Sequence, residues 1–124
     1  MAATVSVHKI SRYKVQVITK VHGQSPRPSV TVRLYSDGDE MVGTVVFKDY
    51  GANSAELPQG DFDKKSATAY FDIAFCDAFL GILRHEEELY WKIAWRQLGA
   101  VKTCSDVSLD TKSEIIGEFF SRDD

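Results

Sequence analysis

The residues best suited to bind a ligand are cationic, and they are concentrated near the N-terminus. The first 36 residues hold six of the fifteen lysines and arginines and no acidic residue, so this stretch carries a net charge of +6. Residues 37–124 hold nine basic and eighteen acidic side chains, a net charge of −9, and the overall charge of −3 hides this separation. Clustered cations of this kind can accept phosphates or the acidic surface of a partner.

Two segments place several of these cations on one side of a sheet. Residues 12–21 and 30–35 each alternate between apolar and polar side chains, which is typical of half-buried strands. The outward sides of these two strands carry the residues that we call the basic face: Arg12, Lys14, Lys20, Arg33 and Tyr35. They predict a site for a polyanion or for single-stranded nucleic acid, although a solvated strand surface or pairing with the chain's own acids would give the same pattern. A single aromatic residue makes the nucleic-acid signal weak.

Aliphatic residues are expected on the same outward side. The alternation places Ile18, Val42 and Val46 among the cations. A partly apolar surface ringed by charge suits contact between sheets or between two copies of a chain. The function that the sequence favours is therefore a non-enzymatic protein-interaction or assembly module that self-associates through this face as a homo-oligomer, with an acidic protein or nucleic acid as the alternative partner.

Catalytic and metal-binding patterns are missing from the sequence. There is no G-x-S-x-G, P-loop, G-x-G-x-x-G or H-E-x-x-H motif, and His85 is followed by acids that do not converge with it on one point of a helix. Cys76 and Cys104 show neither C-x-x-C spacing nor a nearby histidine cluster, and we expect two buried free thiols. Enzymatic activity has no positive support, and no metal or cofactor is predicted.

A hairpin is the clearest structural element. Asp37-Gly38 lies between two alternating runs, and this dipeptide favours a two-residue type I′ turn. Such a turn would pair Ser36 with Asp39. It would also set the following pairs: Leu34 with Met41, Val32 with Gly43 and Val30 with Val45.

The middle of the chain has a long polar connection and an ambiguous segment. Residues 49–65 show no sustained period, and connections of this length are often functional, which suggests a small-molecule pocket between helix and sheet there. Residues 67–75 alternate like a strand, but the apolar spacing of residues 71–82 is helical. We predict a helix over 67–84, beginning after Asp63 or Ser66 as N-cap.

The last third of the chain predicts two more strands. Residues 89–95 alternate, and residues 100–106 follow a turn and form the antiparallel partner. Asp110 or Ser113 could then cap a short C-terminal helix, whose apolar face would be Ile115, Ile116, Phe119 and Phe120. Gly117 in its middle weakens the helix prediction, and a last strand is the alternative.

These elements predict a single α+β domain over residues 1–124. Its architecture would be an antiparallel sheet of about five strands, in the order β-β-β-α-β-β, with one main helix on its apolar face. The sequence has neither an apolar stretch long enough to span a bilayer nor a secretory leader, so no membrane partner and a cytoplasmic location are expected.

Overall fold

The computed structural model describes residues 3–20, 27–51 and 53–111. The first strand, β1, is a long one spanning Ala3–Lys20. It pairs with two different strands, and a bulge at Ser11 separates the two pairings. Because a bulge inserts one extra residue, it exchanges the two faces of the strand. Even-numbered residues such as Ser6 face the core before the bulge, and odd-numbered residues such as Val15 face the core side after it.

The predicted hairpin forms from β2 (Arg27–Ser36) and β3 (Met41–Lys48), with a different turn and register. Gly38 and Asp39, rather than Asp37 and Gly38, adopt positive φ angles, of 85° and 64°. The backbone amide of Ser36 donates to the carbonyl of Glu40 at 2.9 Å, which makes the loop longer than two residues. The observed pairs are therefore shifted by two residues from the prediction: Leu34 with Gly43, Val32 with Val45 and Val30 with Phe47.

A bulge near the turn corrects the placement of Val42. The register slips between Leu34 and Tyr35, so that Tyr35 pairs with Met41. Val42 consequently points into the core and is only 3% exposed, whereas the sequence placed it on the outward face. Gly43, Val45 and Phe47 alternate toward the core, opposite Leu34, Val32 and Val30.

The predicted helix over 67–84 is wrong in its first half. Residues Ser66–Asp72 form a strand, β5, which runs parallel to β3. A 3₁₀ turn at Ile73–Phe75 follows, and the helix α1 spans only Cys76–His85. The carboxylate of Asp72, and not Asp63 or Ser66, caps this segment by accepting a hydrogen bond from the amide of Ala74 at 3.0 Å. Pairing with β3 decides in favour of the strand, since tertiary contacts override local preference.

The connection over residues 49–65 contains a short strand, β4, at Gln59–Asp61. It pairs with β5 in antiparallel orientation. The chain then returns after α1 as β6 (Leu89–Leu98) and β7 (Val101–Thr111), an antiparallel pair as predicted. Because β7 continues through Asp110, that residue does not cap a helix, and the rest of the proposed C-terminal helix lies outside the described residues.

The sheet has seven strands, not five, in the order β4-β5-β3-β2-β1-β6-β7. The prediction of an antiparallel sheet is wrong for one neighbouring pair, because β3 and β5 run parallel. The two edges approach each other, and the sheet is nearly closed like a barrel. A Cβ atom at Gly60 of β4 would lie 2.8 Å from the ring of Trp95 and 3.0 Å from the Cβ of Cys104 of β7. The broad expectation of an α+β arrangement with a helix packed on a sheet is confirmed.

The core lies inside this curved sheet and under α1. Its largest fully buried side chains include Trp91, Trp95 and Phe47, and α1 contributes Cys76 and Leu83. Phe79 of the helix packs edge-on against Phe47, with ring centroids 5.3 Å apart. Each tryptophan ring packs against a glycine of the opposite strand, because Gly43 and Gly60 leave room that a side chain would fill.

Candidate anion-binding face

The structure brings four of the five residues of the basic face together on the outside of the sheet. Cross-strand pairing places Arg12 beside Tyr35 and Lys14 beside Arg33. Residues directly opposite each other in an antiparallel pair point to the same face, about 4.5–5.5 Å apart. The fifth residue, Lys20, pairs with Arg27 further along the same two strands, and only their backbone positions are described.

Arg12 is partly neutralised by an acid from the hairpin turn. Its Nε lies 2.7 Å from Oδ1 of Asp39, and its guanidinium carbon lies 4.0 Å from the centre of the Tyr35 ring. Both side chains of the ion pair are well exposed, so the pair adds little to folding stability. Its effect is to hold the guanidinium over the tyrosine ring, in a cation–π arrangement.

Lys14 and Arg33 form the electropositive centre of the face. Among the residues that the structure describes, no carboxylate lies within ion-pair distance of either side chain. Arg33 uses Nη1 to donate to Oε1 of Gln16 at 3.1 Å, which leaves the other guanidinium donors available. Like charges directly opposite each other destabilise a strand pair, and an anion lying over both would relieve that repulsion.

The face also includes residues that the sequence did not indicate. Tyr70 of β5 lies opposite Val46 of β3. The same outward row of cross-strand partners continues to Thr31 of β2 and Gln16 of β1. Lys48 reaches over its ring, with Nζ 5.6 Å from the centroid. The alternation of residues 67–75 is compatible with an outward Tyr70, but a helix was predicted for this segment. The face therefore carries two tyrosines, not one.

The aliphatic residues predicted for this face contribute less surface than expected. Ile18 and Val46 do point outward, and both are partly buried by their neighbours. Val42 belongs to the core. The outward side of the N-terminal sheet is consequently more polar and more basic than the sequence suggested.

Exposed aliphatic residues occur at the other end of the same strand. Val5 and Val7 are 60% and 53% exposed. They point outward because their partners, Ala94 and Lys92, alternate with the buried residues of β6. Odd-numbered residues of β1 face outward before the Ser11 bulge and toward the core after it, which accounts for this placement.

Polar side chains inside the sheet form hydrogen bonds at Ser6 and His8. Trp95 Nε1 donates to Oγ of Ser6 at 2.9 Å, and Nε2 of His8 lies 2.8 Å from the carbonyl oxygen of Lys65. Trp91 Nε1 is buried without a partner among the described residues. Its ring lies against Gly43, where a Cβ would be 2.6 Å from Nε1.

The 49–65 connection lines an open groove instead of a pocket under the helix. The groove has a volume of about 580 Å³ and lies between β4 and the turn that joins β6 to β7. Phe62 contributes to it and packs edge-on against Trp95, while Lys102 lies 4.2 Å from the centre of the Phe62 ring. No residue of α1 lines it, so the predicted location between helix and sheet is not where the groove lies.

The two thiols are free, and their surroundings suppress their reactivity. Burial raises the pKa of the Cys76 thiol, and the neighbouring carboxylate of Asp77 raises it further. Burial likewise raises the pKa of Cys104, with Asp106 adding to the effect. A raised pKa reduces the thiolate fraction at neutral pH, so neither cysteine is set up as a nucleophile. Cys76 is buried as predicted, whereas Cys104 is only partly buried.

Within residues 3–20, 27–51 and 53–111, no group of three or more histidine, cysteine or acidic side chains is arranged to hold a metal ion. The only helix in this part of the chain is too short to cross a membrane. Comparisons with family models, with curated proteins and with solved structures find no match for the chain.

Proposed function

We propose that this chain is a non-enzymatic interaction module that binds an anionic partner through its basic face. The observation that carries the proposal is the adjacent pair Lys14 and Arg33, which lacks an acidic partner among the described residues. Arg12, held against Tyr35, extends the positive surface along the strand. Tyr70 lies beside it across the sheet, under Lys48, whose Nζ is partly neutralised by Oε2 of Glu56 at 3.4 Å.

The electrostatics of this face favour an anion over a second copy of the same surface. Two basic faces packed against each other would place Lys14 and Arg33 near cations of the other copy, which is repulsive. The aliphatic residues that would offset this, Ile18 and Val46, are already partly buried. Binding of an anion should instead release counterions and weaken as salt increases.

A direct test removes the central cations and measures retention on immobilised heparin. Lys14→Ala together with Arg33→Ala should weaken heparin binding roughly tenfold or more, since each lost charge-assisted contact is worth about 1 kcal/mol or more. Lys64→Ala together with Arg84→Ala is the matched control, because it removes the same charge from two exposed residues elsewhere.

The control variant should elute close to the unmodified chain. If both variants lose the same retention, binding depends on net charge alone and the basic face is not the site. Absence of retention even at low salt would also reject the proposal.

Self-association is a second candidate, and Val5 and Val7 are the observation that favours it. Both are aliphatic, outward and more than half exposed. If two copies meet there, light scattering should show a mass that increases with concentration, and Val5→Asp with Val7→Asp should abolish the increase. Leu57→Asp, which changes an even more exposed aliphatic residue of the 49–65 connection, should leave it intact. A constant monomer mass at high concentration would exclude this candidate.

A further inference from the structure

Within the part of the chain that the structure describes, the second half of β1 has an open edge. Residues Ala3–Lys9 pair with β6, whereas Ile10–Lys20 pair only with β2. Because β6 begins at Leu89, no described strand lies beside residues 11–20 on the β6 side. An edge of this length presents a row of unpaired backbone N–H and C=O groups, which can pair with another extended segment.

Two core-facing side chains along this edge are partly exposed among the described residues. Val15 and Val17 lie in register with Val32 and Val30, on the face of the sheet that forms the core. Val32 is fully buried, yet Val15 is 41% and Val17 is 67% exposed. The core-facing residues of β1 are therefore more exposed than Val32, their neighbour in β2.

The outward side chains of the same stretch are basic. Arg12 and Lys14 point outward, and residues 11–20 contain no acid. A strand added beside β1 would present alternate side chains to the two faces. It would place one set next to Arg12 and Lys14 and the other next to Val15 and Val17.

We infer that the anionic partner is an extended peptide segment with alternating acidic and apolar residues, which adds to the sheet as a strand along the open edge of β1. This inference rests on the proposed function and names the class of its partner. A second copy of β1 fits less well, because an antiparallel pair of these edges brings Arg12 and Lys14 near the cations of the other copy.

Two acids limit where the partner's own carboxylates can lie. Glu86 and Glu87 line a groove of about 350 Å³ together with Ser11 and Arg12, at the start of the open edge. They repel an acidic segment there. The acidic residues of the partner are therefore expected toward the Lys14–Ile18 end of the edge.

The test uses a blocked ten-residue peptide of alternating glutamate and valine, which matches the length of the open edge. Saturating peptide should slow hydrogen exchange at least tenfold at every other backbone amide between Arg12 and Ile18, since alternate amides of a strand point to each side. The peptide of alternating lysine and valine is the control and should give no protection.

Backbone methylation separates strand addition from charge attraction. Two versions of the acidic peptide carry N-methyl groups on alternate residues, one set on the glutamates and the other on the valines. Strand addition predicts that one version loses binding by tenfold or more and that the other does not, because only one set of amides donates to β1. Equal binding of both versions would overturn the inference.

The remaining outcomes distinguish this inference from the proposed function. If heparin retention depends on Lys14 and Arg33 but the acidic peptide gives no protection, the inference fails and the basic face stands. If the peptide protects β1 but heparin retention does not depend on Lys14 and Arg33, the proposal that the basic face binds anions is wrong, and the open edge alone binds the peptide. Slow exchange of the same amides in the free chain, at every concentration, would mean that the edge is already covered and would also overturn the inference.

Discussion

At the scale of single residues, the packing of Trp91 depends on the absence of a side chain at Gly43. A Cβ at this position would lie 2.6 Å from both Cε2 and Nε1 of the indole ring. Trp91 is 1% exposed and surrounded by the core, so the ring has no free space to move into. The glycine therefore has a steric role.

Gly43→Ala should destabilise the fold. Overpacking of a dense core typically costs about 1–3 kcal/mol, and the steric conflict with a rigid ring places this substitution within that range. The free energy of unfolding, measured by denaturant titration, should decrease by that amount. An unchanged midpoint and slope would show that Trp91 does not pack against this strand.

The residues of the basic face could be predicted largely from the sequence, and their electrostatic state could not. Alternation alone was enough to place Arg12, Lys14 and Arg33 on one side of two strands. The ion pair of Arg12 with Asp39 depends on the geometry of the hairpin turn, which differs from the predicted type I′ turn. Val42 was wrongly predicted on the outward side, because the apolar–polar pattern does not indicate where a bulge occurs.

At the scale of elements, residues 66–85 show why periodicity alone was insufficient. Their first part fits a strand and their apolar spacing continues into a helix, so both periods coexist in one run. The strand is selected by its parallel pairing with β3, a contact between residues far apart in sequence. The boundary between the two is set locally, where Asp72 caps the turn that leads into α1.

Helix α1 offers a substitution with the opposite expected effect. Gly81 lies within the helix, and a Cβ there would meet nothing within 4 Å. Gly81→Ala should stabilise the chain by about 0.5–1 kcal/mol, because alanine has the higher helix propensity and restricts the unfolded chain. The same denaturant titration checks it, and a decrease in stability would mean that the helix ends earlier or that space is lacking there.

At the scale of the whole molecule, the near closure of the sheet was beyond what the sequence could indicate. Closure depends on β4, a three-residue strand inside a polar connection, and on Gly60 packing against Trp95 and Cys104. Neither feature has a periodic signal. The number of strands was underestimated because β4 has no periodic signal and because the alternating residues of β5 were assigned to a helix.

The charge distribution of the molecule, in contrast, was visible in the sequence. The first 36 residues carry six cations and no acid, and all eighteen acids lie in the rest of the chain together with nine cations. The structure adds the arrangement in space, with Lys14 and Arg33 side by side on the outside of the sheet. This pair is the centre of the proposed anion-binding face.

The most direct measurement is the salt dependence of the affinity for a labelled oligothymidylate, used as a single-stranded polyanion probe. Each phosphate contact contributes about 0.7 to the slope of log Kd against log salt concentration, so Lys14→Ala with Arg33→Ala should reduce the slope by about 1.4. The control pair Lys64→Ala and Arg84→Ala should leave the slope unchanged. Equal slopes for the unmodified chain and the Lys14 and Arg33 variant would mean that this pair does not contact the anion.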